Sequence, residues 1–198
     1  MKLKTRDMIL AALFAALTAV GAYLVIPTQP VPITLQILFC MYSGVLLGSK
    51  LGLMSQIIYF LMGIIGLPVF ANGASGFGYV FQPTFGYLIG FIICGYITGK
   101  ISERIQDVRG IKGFIYLLIA VISGLTVVYA VGIPYLYMIF NVYKGNAITL
   151  NTALKWGFYP FIAQDLVKCI VVALTAVKVL PALRRAGYVS SSKGEMIL

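Results

Sequence analysis

The chain has 198 residues, of which 61% are hydrophobic and only 10% are charged, against about 25% charged in an ordinary soluble domain. With a mean hydropathy of +0.99, the 15 Lys and Arg and 5 Asp and Glu residues cannot cover a folded surface, so most of that surface must face lipid. The net charge of +10 lies between apolar segments, which favours lipid headgroups over nucleic acid as the anionic partner.

Histidine is absent, which excludes histidine-based acid–base catalysis and histidine-ligated metal or haem sites. The three cysteines, Cys40, Cys94 and Cys169, lie far apart inside apolar segments and show no CxxC spacing. We therefore predict small buried thiols, no metal site and no cofactor.

Six apolar segments approach the ~20 residues that a helix needs to cross a bilayer. They predict an all-α integral membrane protein, a single domain over 1–198, with helices near 8–26, 34–49, 51–66, 83–101, 113–134 and 156–180. The second and third segments are short and meet near 48–52, so we expect them to cross with little tilt or to lie partly in a protected re-entrant position.

The positive charges predict orientation, because Lys and Arg near segment ends are retained on the cytoplasmic side. Twelve lie at the termini and in the second and fourth connections: Lys2, Lys4, Arg6, Lys50, Lys100, Arg104, Arg109, Lys112, Lys178, Arg184, Arg185 and Lys193. The connections at 27–33, 67–82 and 141–155 contain only Lys144 and Lys155. Both termini are therefore predicted to be cytoplasmic.

Two ionisable residues, Asp165 and Lys168, lie well inside the sixth segment. Counted from Lys155 at ~1.5 Å per residue, they are predicted to lie roughly 15 and 20 Å deep. Each charge costs about 2.5–3.5 kcal/mol at a helix centre, so such residues are functional candidates by default.

The i, i+3 spacing of Asp165 and Lys168 places them on one helical face. Two interpretations remain open at this point. The residues neutralise each other as a structural pair, or they offer an acceptor and a cation to a ligand that carries N–H donors at one end and a carboxylate at the other.

The connection at 67–82 is rich in glycine and aromatic residues and has no charge. It predicts a mobile lid in which aromatic rings shield a site from water: Phe70, Phe77, Tyr79 and Phe81. The alternative is an ordinary interfacial loop with aromatic residues at headgroup depth.

Neither GxGxxG nor GxxxxGK[ST] occurs in the chain, so energy for solute uptake must come from an ion gradient or a partner. The lack of an internal repeat favours a partner. The first segment offers a surface for it, because a stripe of small residues permits close helix approach. The predicted docking residues are Ala11, Ala12, Ala15 and Ala16. Packing against another segment of the same chain is the alternative.

Four motifs follow one another along the chain: PVPITLQ at 30–36, GLPVFA at 66–71, PTFGYL at 83–88 and DLVK at 165–168. Together they resemble the BioY family, the biotin-specific substrate-binding subunits (S components) of energy-coupling factor (ECF) transporters. The resemblance covers essentially the whole chain. It implies a six-helix S-component fold with an outward-accessible biotin pocket.

The resemblance also implies that Asp165 and Lys168 contact biotin, and that the AxxxA pattern of the first helix docks to a transmembrane coupling subunit served by two ATPase subunits. Further polar contacts to biotin are predicted for Thr34, Gln36, Asn72 and Tyr87. Phe85 stands where glycine is common in the family, and its ring is predicted to narrow the pocket mouth.

The expected function is biotin capture and delivery across the cell membrane, without catalysis by this chain. Two alternatives are an S component for another small vitamin, and a membrane-embedded enzyme that uses Asp165 and Lys168 as acid and base.

Overall fold

The computed structural model describes residues 4–187. The ends of the predicted domain, 1–3 and 188–198, lie outside the described residues, and Lys2 and Lys193 lie with them. Within residues 4–187 the chain is mainly helical, with the elements α1 Thr5–Tyr23, β1 Val25–Ile26, β2 Ile33–Thr34, α2 Gln36–Leu47, α3 Ser49–Ile64, α4 Phe85–Arg104, α5 Gly110–Met138, α6 Leu150–Gly157 and α7 Tyr159–Arg185.

Short elements complete the connections. β1 and β2 pair antiparallel, with Val25 opposite Thr34. Two 3₁₀ turns, Ala71–Gly73 and Phe77–Phe81, occupy the connection from α3 to α4, and a π-turn at Ile139–Tyr143 extends α5.

Four helical stretches of the described chain are long and apolar enough to cross a membrane: Thr5–Tyr23, Phe85–Arg104, Gly110–Tyr143 and Tyr159–Arg185. They correspond to the first, fourth, fifth and sixth predicted segments. α2 and α3 have 12 and 16 residues, about 18 and 24 Å at the helical rise, so their crossing stays a prediction.

The chain reverses direction between α2 and α3 at Gly48, whose φ of +86° favours glycine. The reversal brings Gly44 against Gly52. A Cβ added to Gly52 would lie 2.8 Å from the Gly44 Cα. An added Cβ on Gly99 of α4 would lie 2.4 Å from the Ser49 amide nitrogen. Glycine therefore allows α2, α3 and α4 to pack with their backbones in contact.

Three hydrogen bonds fix which helix ends lie together. The Glu103 carboxylate near the end of α4 accepts from the Ser49 N–H at 2.7 Å. Arg184 near the end of α7 donates to the connection after α4 at 2.7 Å, and Arg6 donates to the Gly187 carbonyl at 2.9 Å. The start of α1, the α2–α3 turn, the α4–α5 turn and the end of α7 therefore share one end of the bundle.

We call this end the basic end, because it holds most cations of the described chain: Lys4, Arg6, Lys50, Arg104, Arg109, Lys112, Arg184 and Arg185. The opposite end, the cavity end, contains the β-hairpin and the connections from α3 to α4 and from α5 to α7, where Lys144 and Lys155 lie. The unequal division of charge that the sequence predicted is thus a division between two ends of one bundle.

The last two helices differ in detail from the predicted segments. The fifth helix continues past Pro134 to Met138. The sixth segment is split, because α6 ends at Gly157 and α7 starts at Tyr159, with a proline in its first turn, where the missing N–H costs nothing. The residues around the break are apolar, so the hydropathy pattern of the sequence did not indicate where one helix ends and the next begins.

The break also changes the distance along the helix to the two ionisable residues. Counted from Tyr159 at ~1.5 Å per residue, Asp165 and Lys168 lie roughly 9 and 14 Å along α7. They are closer to the cavity end than a continuous helix from Lys155 would place them.

Candidate functional site

A cavity opens between the helices at the cavity end. It has a volume of about 570 Å³, part of it open to solvent, and its wall combines α2, α4, α5 and α7 with the hairpin and the α3–α4 connection. The wall is mostly apolar, with side chains that include Ile37, Leu88, Phe91, Val128 and Phe161. An apolar cavity with a few convergent polar groups is the usual form of a small-molecule site.

Asp165 and Lys168 line this cavity and pair with each other. The Lys168 Nζ donates to the Asp165 Oδ1 at 2.8 Å, and the two residues are only 7% and 8% exposed. Lys168 also donates to the Thr34 backbone carbonyl at 2.8 Å. The residues thus form the ion pair of the first interpretation. They also border a cavity, so the second interpretation, contact with a ligand, stays a prediction.

Tyr129 of α5 is a member of the site that the sequence analysis missed. Its hydroxyl donates to the Asp165 Oδ2 at 2.6 Å, so each carboxylate oxygen has one donor from the protein. The ring meets Tyr87 and Phe158 edge to face, at centroid distances of 6.4 and 4.9 Å. A tyrosine inside an apolar segment needs a partner for its hydroxyl. This requirement is the feature of the sequence that could have indicated Tyr129 as a site residue.

The other predicted contact residues fall into two groups. Thr34 and Tyr87 line the cavity, although the Tyr87 hydroxyl donates to the Gly157 carbonyl at 2.9 Å. Gln36 is buried behind Thr34, whose hydroxyl donates to the Gln36 Oε1 at 2.8 Å. Asn72 is exposed, with φ at +59°. The cavity wall of the described chain includes neither Gln36 nor Asn72.

Gln36 instead links the two segments that cover the cavity. Its Nε2 donates to the Tyr59 hydroxyl at 2.6 Å, and that hydroxyl donates to the Val69 carbonyl at 3.0 Å. Since Thr34 bonds both Gln36 and Lys168, a buried polar chain joins the charged pair to the α3–α4 connection. Gln36 and Tyr59 position the cover of the cavity.

The aromatic residues of the α3–α4 connection divide between its inner and outer faces. Phe70 is buried and packs on Tyr79 with a centroid distance of 4.6 Å, and Tyr79 lines the cavity. Burial raises the pKa of Tyr79, so its hydroxyl stays protonated beside Thr84. Phe77 and Phe81 are 72% and 43% exposed. The cavity wall of the described chain includes neither ring, and Phe81 stacks on Tyr143 at a centroid distance of 4.6 Å, so their shielding of the site stays a prediction.

The prediction for Phe85 was also wrong. Its buried ring packs between Phe60 of α3 and Tyr135 of α5, at centroid distances of 5.6 and 5.5 Å. Phe85 therefore fills the helix interface and leaves the cavity mouth unaffected.

The predicted docking alanines of α1 lie on two faces. Ala11 and Ala15 are fully buried, on the side where α1 packs against α2 and α3. Ala12 and Ala16 are exposed beside Ile9 and Leu13. Internal packing therefore accounts for one half of the stripe, and the other half stays available to a partner.

The four sequence motifs converge in space. Thr34, Ala71, Thr84 and Asp165, one residue from each motif, all line the cavity. In agreement with this, residues 1–185 match the BioY family. The chain belongs to the BioY family. The resemblance drawn from the motifs is confirmed.

Relatives in the family share most of the chain. The probable biotin transporter BioY of Lysinibacillus sphaericus is 42% identical over 182 residues, which cover 92% of this chain and 90% of the relative. The biotin transporter BioY of Thermotoga maritima is 38% identical over 173 residues, covering 87% and 95%. The family relatives are transporters and not enzymes.

A solved structure has the same fold. The chain superposes with a TM-score of 0.77 and 25% identity on the crystal structure of the S-component for biotin from an ECF-type ABC transporter, covering 90% of this chain and 94% of that one. The S-component fold implied by the motifs is therefore present.

Proposed function

We propose that this protein captures biotin and delivers it across the membrane as the S component of an ATP-driven ECF transporter. The observation that carries the proposal is the ion pair of Asp165 and Lys168, buried in a bundle with an apolar exterior and open to a cavity. Membership of a family whose relatives are named biotin transporters supports it.

The chemistry of the pair fits the ligand. Biotin carries two ureido N–H donors, an apolar thioether ring and a carboxylate on a flexible chain. Each Asp165 oxygen has one protein donor and can accept another, and the Lys168 ammonium has three N–H groups of which two are used. A ligand lacking the ureido donors leaves the buried carboxylate short of partners, at a cost of several kcal/mol.

We further infer that α1–α5 and α7 all cross the membrane, with the basic end and both termini on the cytoplasmic side. The cavity end then faces outward, where biotin is captured. The exposed face of α1, with Ala12 and Ala16, docks to a coupling subunit, and two ATPase subunits hydrolyse ATP.

The direct test is calorimetric titration of biotin into purified Asp165→Asn and Lys168→Ala variants. We expect each to lower biotin affinity about 10- to 100-fold, because a hydrogen bond to a charged group contributes ~1.5–3 kcal/mol. Asp107→Asn and Lys178→Ala, exposed positions near the basic end, are the matched controls and should bind within twofold of the native protein.

Each single variant leaves one buried charge unpaired, which destabilises a fold by about 3–5 kcal/mol. The double variant Asp165→Asn/Lys168→Met removes both charges, so it should melt at a higher temperature than either single variant and still fail to bind. A folded double variant that binds biotin normally would refute the site.

Biotinamide, which lacks the carboxylate charge, tells which end of biotin meets Lys168. If Lys168 pairs with the carboxylate, Lys168→Ala should weaken biotin binding and leave biotinamide binding nearly unchanged. If the lysine only holds Asp165 ionised, both ligands should lose affinity equally.

A further inference from the structure

A second opening lies at the basic end, between the end of α4 and the start of α5. We call it the basic groove; its volume is about 1250 Å³, including open solvent, and its lining includes Arg104, Arg109, Lys112 and Asp107. None of its lining residues contributes to the wall of the biotin cavity. The groove therefore requires its own explanation.

The charges of the basic groove favour an anion. Three cations face one carboxylate, and the Asp107 carboxylate already accepts from the Arg109 backbone N–H at 2.9 Å. The ion pairs found within residues 4–187 involve neither Arg104, Arg109 nor Lys112. The first turn of α5 has no side-chain cap, so its free N–H groups add partial positive charge.

A contact from α7 stabilises the chain segment that forms the basic groove. The Arg184 guanidinium of α7 donates to the carbonyls of Ser102 and Ile105 at 2.9 and 2.7 Å. These carbonyls lie at the negative end of the α4 dipole. The Arg184 guanidinium already donates hydrogen bonds to them, without any ligand in the groove. On the other wall, an added Cβ on Gly113 would lie 2.1 Å from the Val108 carbonyl carbon, which shows how closely the turn packs on α5.

An apolar surface continues from the groove along the outside of α5. Ile111, Ile115 and Tyr116 are 70%, 47% and 54% exposed, and two of them, Ile111 and Tyr116, also line the groove. A ligand that matches both parts carries an anionic group at headgroup depth and hydrocarbon beside it. Free phosphate or an acidic peptide matches only the cations.

We propose that the basic groove binds the phosphodiester headgroup of an anionic phospholipid, with an acyl chain along Ile111 and Ile115. Arg104, Arg109 and Lys112 contact the phosphate, and Asp107 limits the affinity. This proposal is independent of the biotin site and of which side of the membrane the basic end faces.

The test uses the full-length protein in neutral detergent, titrated with phosphatidylglycerol and followed by native mass spectrometry. Each cation near an anionic lipid contributes about 1 kcal/mol, which is about fivefold in affinity. The variant Arg104→Gln/Arg109→Gln/Lys112→Gln should therefore bind phosphatidylglycerol on the order of a hundredfold more weakly. The variant Lys50→Gln/Lys100→Gln/Lys178→Gln removes the same charge from exposed positions outside the groove and should bind within about twofold of the native protein.

Asp107→Asn should bind the lipid two- to fivefold more tightly. A gain in affinity cannot result from misfolding, so this variant tests the groove even if the triple variant fails to fold. Phosphatidylcholine should bind weakly to every variant, and millimolar inorganic phosphate should not displace phosphatidylglycerol. Equal losses in the two triple variants, unchanged lipid binding by the groove variant, or displacement of the lipid by inorganic phosphate would each overturn the proposal. Biotin titration of the same samples reports on the proposed function separately.

Discussion

The Asp165 carboxylate shows how a charge is kept inside an apolar bundle. It receives Lys168 on one oxygen and Tyr129 on the other, at 2.8 and 2.6 Å. An isolated charge at a helix centre costs about 2.5–3.5 kcal/mol, and these two partners offset that cost without closing the cavity beside them. The sequence indicated the acid and the lysine because their spacing is local, whereas Tyr129 lies 36 positions away.

Removing the Tyr129 hydroxyl should weaken biotin binding. In Tyr129→Phe one carboxylate oxygen loses its donor, so the orientation of Asp165 is held by Lys168 alone. We expect affinity to fall about tenfold, in line with ~1.5 kcal/mol for a hydrogen bond to a charged group, measured by calorimetric titration. Tyr42→Phe, whose hydroxyl bonds Thr175 at an exposed position, is the matched control. Equal affinities for the two variants would contradict a positioning role for Tyr129.

Helix α1 shows that one sequence pattern can serve two surfaces. Its small residues recur at i/i+4 on neighbouring faces, so the stripe itself does not distinguish internal packing from docking. Burial distinguishes them, because Ala11 and Ala15 are inside and Ala12 and Ala16 are outside. Only the exposed pair can meet a partner helix closely while α1 stays packed.

Enlarging the exposed face of α1 should block assembly. We expect Ala16→Leu to reduce co-purification with the coupling and ATPase subunits at least fivefold, because a larger side chain separates the helix backbones. Biotin affinity should remain within twofold, since Ala16 is not part of the cavity wall. Ala130→Leu adds the same volume at an exposed position of α5 and should assemble normally. Full assembly of the Ala16→Leu variant would exclude this face.

Across the whole molecule, most of the positive charge and the cavity lie at opposite ends. The hydrogen bonds of Glu103, Arg184 and Arg6 bring four chain segments to the basic end. The hairpin and the α3–α4 connection cover the cavity at the other end. This polarity gives the proposed direction of capture, from the cavity end toward the partners.

Labelling of single cysteines tests that direction in intact cells. A membrane-impermeant maleimide should label Ala147→Cys, in the connection between α5 and α6, and should label Gln106→Cys, in the α4–α5 turn, only after permeabilisation. The three native cysteines are buried, so the native protein is the background control. Labelling of Gln106→Cys alone in intact cells would reverse the proposed orientation.

The sequence by itself determined the membrane class, the family, the division of charge and the choice of Asp165 and Lys168 as candidate site residues, because composition and short-range spacing are local properties of the chain. Tertiary structure alone decided that α7 begins at Tyr159, that Gln36 stands behind the cavity wall, that Phe85 fills an interface and that Tyr129 completes the charged site. Each of these depends on what another helix places against the residue. In a chain whose segments are almost uniformly apolar, hydropathy carries little information about which face of a helix turns inward.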